Sequence, residues 1–275
     1  GNDNALGSLG AMVNTQMQEN VTAGATNFIV RLKADGEPET NALTLYTATP
    51  ASAECDVTSA TCDWQIALNS FDADCSPLIL LTELVIAPDG TFTAGGPGSA
   101  FLLTFPLVTG AALAVPVQSP RVAGVAALDE GGTVVAVEGL LVGAVSKEAL
   151  KAAIRKVPAE LLPAPAAVIE NLIDNGIRTD IDALDASGQP GKDGTNESAS
   201  VALAFKATPA NVVGVEAVSE PPAEGLCSAP PGSETIAPAF RVVTLGLSTS
   251  GKIGEALDVD GICVPAEVPN GCPAP

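Results

Sequence analysis

Two groups of side chains in this chain have the types and spacing to do chemistry, and neither is built for covalent catalysis. Asp174, Asp180, Asp182, Asp185, Asp193 and Glu197 place six carboxylates within twenty-four residues. Hard cations take several oxygens at about 2.3–2.6 Å, and closely spaced aspartates in a glycine-containing loop supply them. Asp180, Asp182, Asp185, Asp193 and Glu197 are therefore the expected ligands of a Ca2+ ion, in the weak range of extracellular modules, about 10⁻⁴–10⁻³ M. The plainer alternative is a solvated acidic loop. No EF-hand register fits: counting from Asp180 puts Leu184, Asp185 and Gly191 at positions five, six and twelve, and counting from Asp185 puts Pro190 where glycine is required.

The second group is the cysteines. Cys55, Cys62 and Cys75 lie in the first third of the chain, and Cys227, Cys263 and Cys272 in the last fifth. None forms a C-x-x-C pair and the chain has no histidine, so zinc and iron–sulfur ligation are poorly served. Disulfides are the better reading, and they imply an oxidising compartment. Three is odd, so complete pairing needs at least one bridge between the clusters. Closing a loop of about 150 residues stabilises by roughly 5 kcal/mol in the chain-entropy account.

Positive charge is scarce, and that makes one stripe conspicuous. Lys147, Lys151 and Arg155 recur every fourth residue, with Lys156 beside them, so four of twelve cations fall within ten residues. They are expected to face an acidic surface, either the Asp180–Glu197 loop or that of a neighbour, or else to form a solvated helix face. Gly246–Lys252 imitates a phosphate-binding loop, but Ile253 stands where Ser or Thr must hold Mg2+. It reads as a chance match.

Composition narrows the function classes. Against 32 acidic residues the 12 basic ones leave a formal charge of −20, which repels nucleic acid and anionic membranes. Without histidine, Ser–His–Asp and Cys–His catalysis are excluded, and the chain is expected not to be an enzyme. A carboxylate-pair hydrolase is the weakest of the alternatives. One Trp, one Tyr and seven Phe are few for stacking on sugars or single strands. Trp64, beside Cys62, is expected to pack in the core. No run reaches the roughly 18 apolar residues of a membrane span. The opening Gly-Asn-Asp-Asn reads as a processed terminus, with a lipid anchor upstream a further expectation.

The elements that would position these groups are mostly strands. Leu6–Val21 has helical spacing; Phe28, Val30 and Leu32, then Leu43, Leu45 and Thr47, alternate as strands. Trp64–Leu68, Leu78–Ile86, Thr91–Ala94, Ala100–Leu107, Ala111–Val117, Arg121–Leu128 and Thr133–Val145 continue the strand pattern at sandwich-like spacing. Ser146 then caps a helix with Ala149, Leu150, Ala153, Ile154 and Val157 inward. A second helix, Pro165–Asn175, is expected to turn Val168, Ile169, Leu172 and Ile173 inward, with Gly176 as its C-cap. Ser200–Lys206, Asn211–Glu216 and Phe240–Leu247 are again strands.

At the acidic loop, TDIDALDASGQPGKDGTNESASVALAF resembles a recurring segment of uncharacterised exported bacterial lipoproteins, and DGTFTAGGPGS has the same flavour. The likeness spans about Leu78–Val215 and departs from that pattern in lacking a compact Asp-Gly-Asp-Gly core. It implies an exported, surface location and no particular activity.

The whole predicts a mainly β protein, an antiparallel β-sandwich or barrel-like domain with a two-helix insertion, disulfide-stapled. A main domain would span residues 1–218 with the helices at about 146–176. Residues 219–275 would be a linker and C-terminal segment tied back by disulfide. The expected function is an exported structural or interaction protein at the cell surface or in the periplasm, calcium-stabilised and self-associating or bound to another surface protein. Its rival is a periplasmic carrier enclosing an apolar ligand, and a cavity of several hundred Å3 would favour that rival.

Overall fold

A computed structural model describes residues 7–24, 26–34, 41–57, 59, 61–96, 99–108, 111–162, 164–177, 179, 198–216, 227 and 236–247. Among them the order is α1 (Gly7–Thr22), β1 (Phe28–Lys33), β2 (Ala42–Pro50), β3 (Asp63–Ile66), a 3₁₀ turn (Leu68–Ser70), β4 (Ile79–Thr82), β5 (Val85–Ile86), β6 (Thr91–Ala94), β7 (Ala100–Val108), β8 (Ala111–Pro116), β9 (Gln118–Leu128) and β10 (Val134–Ser146). There follow α2 (Lys147–Lys156), α3 (Ala166–Gly176), β11 (Ser198–Pro209), β12 (Asn211–Val215) and β13 (Ala239–Leu247). The protein is mainly β.

The strands form an antiparallel sheet in the order β5-β6-β9-β10-β11-β13-β1-β2-β4-β7-β8. β3 pairs antiparallel with β2 and parallel with β12. The sheet is open, since its path ends at β5 and β8, but it curls so that both halves share one core. Leu43, Leu81 and Phe101 from one half meet Val122, Leu141, Leu203 and Phe205 from the other. Period two sets which side chains arrive: in β1, Val30 and Leu32 join this core, while Ile29 turns to the opposite face.

That opposite face has its own cluster. Ile29, Tyr46, Trp64, Ile66, Phe71, Val212 and Ala239 pack together beneath β3 and β12. Both described disulfides lie here: Cys55–Cys62, and Cys75–Cys227 across 152 residues of sequence. The bridge between clusters required by parity is thus present; Cys263 and Cys272 lie outside the described residues. Trp64 is buried, as expected, and carries the Arg241 guanidinium 5.2 Å from its ring centroid. Arg241 is only 8% exposed. Its Nη2 donates to Val21 O (3.0 Å), placing a cation on the C-terminal carbonyls of α1, where the helix dipole favours it. Desolvation lowers its pKa from the ordinary arginine value.

The two-helix insertion falls where the sequence put it. The Ser146 hydroxyl accepts from Ala149 N (3.1 Å) and starts α2 at the last residue of β10. Four details differ. The expected strand Leu78–Ile86 is broken at Glu83, whose φ of +57° turns the chain between β4 and β5. In α3 only Ile173 is buried; Val168 and Leu172 are 50% and 63% exposed, because α2 and the sheet cover a narrower stripe than the apolar spacing offers. The helix is capped by Ile177, with Gly176 its last residue. Finally, the segment beyond residue 218 does more than tie back: β13 lies mid-sheet, between β11 and β1.

Candidate ligand cavity

β13 pairs along most of its length with β11, but with β1 only over Ala239, Phe240 and Arg241. Beyond that point β1 and β13 diverge, and the backbone of β13 loses its strand partner on one side. α1 fills the place. Gln18 Nε2 donates to Val243 O (3.2 Å), and Leu245 N donates to Gln18 Oε1 (3.3 Å). A single side-chain amide therefore supplies the donor and acceptor that the missing strand would have supplied. Met17, one residue earlier, packs against the core beneath.

Under this junction lies a cavity of about 580 Å3. Its floor and walls are Leu43, Leu81, Phe101, Val122, Leu141, Leu203, Phe205 and Val242, and its rim includes Met17, Phe28, Leu45, Ile79 and Leu245. β2 shows how polarity is graded: Leu43 is buried, Leu45 half-buried, and Thr47 on the same face is half-buried and polar. The register pairs Leu43 with Leu32, Leu45 with Val30 and Thr47 with Phe28, so the mouth is at the start of β1 and the depth at its end.

Polar groups gather only at that mouth. Thr47 Oγ1 donates to Asn69 Oδ1 (2.5 Å) and lies 2.8 Å from Ser70 Oγ. Thr47 N donates to Ser70 Oγ (2.9 Å), which in turn donates to Thr47 O (3.1 Å). These bonds hold the 3₁₀ turn against the end of β2. Thr26, Asn27 and Thr49 add to the polar lining, and none of the described lining residues is charged.

The deep wall depends on a missing side chain. A Cβ at position 139 would stand 2.5 Å from Phe205 Cζ, so Gly139 leaves the flat seat on which that ring lies. Phe205 packs against β10 there and itself lines the cavity.

The residues singled out in the sequence fall elsewhere. Lys151 and Arg155 do meet carboxylates on α3, and Lys147 meets a backbone carbonyl there. Lys147 Nζ donates to Asp174 O (2.7 Å), Lys151 Nζ to Asp174 Oδ1 (3.0 Å), and Arg155 makes two bonds to Glu170 (2.8 and 2.6 Å). Lys151 also pairs with Glu148 (2.5 Å). Hydrogen bonding to Arg155 holds the Glu170 carboxyl below its ordinary pKa and raises that of Arg155. The stripe is a clasp between the two inserted helices. Asp180, Asp182, Asp185, Asp193 and Glu197, with the Ca2+ expected there, lie outside the described residues, as does most of the Gly246–Lys252 run. Among the described residues no three Cys, Asp or Glu side chains converge as a metal group would.

The sequence reading held an apolar-ligand cavity as the mark of its rival carrier reading, but named none of the residues that line it. Leu43, Leu45 and Thr47 form an apolar face ending in a hydroxyl, and Val201, Leu203 and Phe205 form a bulky one. Comparison with known proteins adds nothing to these observations: no family model, curated protein or solved structure matches the chain significantly. The disulfides suit an oxidising environment outside the cytoplasm. No described helix is long and apolar enough to cross a membrane.

Proposed function

We propose that this chain is an exported carrier or binding protein for an apolar small molecule, held in the cavity beneath α1. The observation that carries the reading is the size of an apolar space in an otherwise close-packed core. An apolar pocket open at one end holds water that its walls cannot hydrogen-bond, and an apolar occupant releases that water. Water is a poor occupant, because each buried water needs two to four polar partners and these walls offer them only at the mouth. An apolar ligand matches such walls, and 580 Å3 lies within the usual range of ligand sites. With the disulfides, this suits a carrier working in the periplasm or at the outer cell surface.

The test is native mass spectrometry of protein expressed with export and purified without detergent, before and after extraction with organic solvent. A bound organic mass that disappears on extraction, with saturable fluorescence enhancement of the apolar probe N-phenyl-1-naphthylamine in the emptied protein, supports the reading. A bare polypeptide mass with no saturable probe binding refutes it. A surface structural module is the second reading, favoured by Val85 and Ile86, exposed on the free edge strand β5.

A further inference from the structure

We infer that the cavity selects uncharged amphiphiles, holding the chain inward and a hydroxyl, ester or amide head at the Thr47–Asn69–Ser70 mouth, and discriminates against the corresponding carboxylate. The inference rests on the carrier reading and adds the chemistry of the head group. Two features point to it. Among the described residues the lining has no Lys or Arg to neutralise an anion, and its polar groups are hydroxyls and amides at one end. Taking an ionised carboxylate out of water without a paired cation is far costlier than taking out a hydroxyl that finds a hydrogen bond.

Arg241, a cation in contact with a lining residue, does not change this. Arg241 Nη2 reaches Asn27 Oδ1 at 3.4 Å, but it is also bonded to Val21 O, and its guanidinium lies over Trp64. Arg241 itself belongs to the opposite face of β13 from Phe240 and Val242, which face the main core. Asn27 is held in place as well, its Nδ2 donating to Gly24 O (2.8 Å), and it is buried. Of the mouth groups, Asn69 is the exposed one, and its amide nitrogen remains able to donate to a ligand oxygen. A protein of charge −20 also repels an approaching anion before contact. At about 30 Å3 per methylene-sized group, the volume admits roughly twenty groups, enough for one medium acyl chain with a small head.

The experiment is displacement of N-phenyl-1-naphthylamine from extracted protein by three ligands sharing one chain: 1-dodecanoylglycerol, methyl dodecanoate and dodecanoate at neutral pH. The two uncharged esters should displace the probe, and dodecanoate should need at least about tenfold more. An Asn69→Lys variant, altered at an exposed position, should narrow that gap at least about threefold by supplying a cation at the mouth. If dodecanoate competes as well as its esters, the inference fails while the carrier reading stands. An unchanged gap in Asn69→Lys overturns the placement of the head. If neither ester displaces the probe while it binds saturably, selection of these amphiphiles fails and an apolar-ligand cavity survives. If the probe itself does not bind, the carrier reading fails and the inference with it.

Discussion

Replacing Leu203 by Trp adds roughly 60 Å3 to a wall that the structure leaves facing empty space. Leu203 is 4% exposed, pairs in register with Leu141, and lines the cavity beside Phe205. At about 24 cal/mol per Å3 of void removed, the larger ring should stabilise the emptied protein by up to about 1.4 kcal/mol. For a chain of this size that is a rise in melting temperature of about 3–6 °C. In a solidly packed core the same substitution would instead cost about 1–3 kcal/mol through forced rotamers and backbone shifts. The sign therefore decides between a cavity and a filled core. Urea midpoints with unchanged slope measure it, and N-phenyl-1-naphthylamine binding should fall in parallel. Val122→Phe, on a different strand of the same wall, repeats the test independently. If both variants are destabilised by more than about 1 kcal/mol while probe binding is unaltered, the cavity does not exist in solution and the functional argument falls with it.

Other expectations follow from the same geometry. Gly139→Ala should push the Phe205 ring off its seat, weakening probe binding and costing about 1–3 kcal/mol, which a chemical melt with parallel titration would register; unchanged binding would mean the ring has room elsewhere. Replacing Cys75 and Cys227 together by Ser should lower stability by about 5 kcal/mol for a 152-residue loop, against little change in binding if the fold survives. A loss under about 1 kcal/mol would show the cross-link to be idle. Because the Glu170 carboxyl is held below its ordinary value, its contribution is present above the ordinary carboxylate range and is lost as pH falls through the lowered value. Hydrogen exchange in α2 and α3 should therefore quicken selectively in acid. It should do so already at neutral pH in Glu170→Gln; equal protection there would show that Arg155 does not hold the helices together.

How much of this was legible depended on the range of the interaction. Alternation identified the faces of β1, β2 and β11, and the Ser146 cap identified the start of α2, because each signal is written within a few residues. Counting cysteines foretold a bridge between distant clusters, since parity needs no geometry. The place of the cavity was not legible: it lies where β1 and β13, some two hundred residues apart, cease to pair, and no local pattern records where that pairing ends. The basic stripe met carboxylates as expected, but the partner was α3, twenty residues on, because the short connection folds one helix back on the other. Val168 and Leu172 misled because apolar spacing says what a helix can bury, not how wide a surface awaits it.

Gln18 has a consequence for how this protein avoids sticking to itself. A strand with unmet backbone groups on one side is a template on which another chain can grow. β13 would offer such a row from Val243 onward, next to an apolar rim, if α1 did not occupy it. The helix is thus a guard against polymerisation as well as a roof. Whatever lifts it, whether proteolysis of the N-terminal segment or a ligand too long for the cavity, would bare the ladder of β13 and offer a seed for intermolecular sheet.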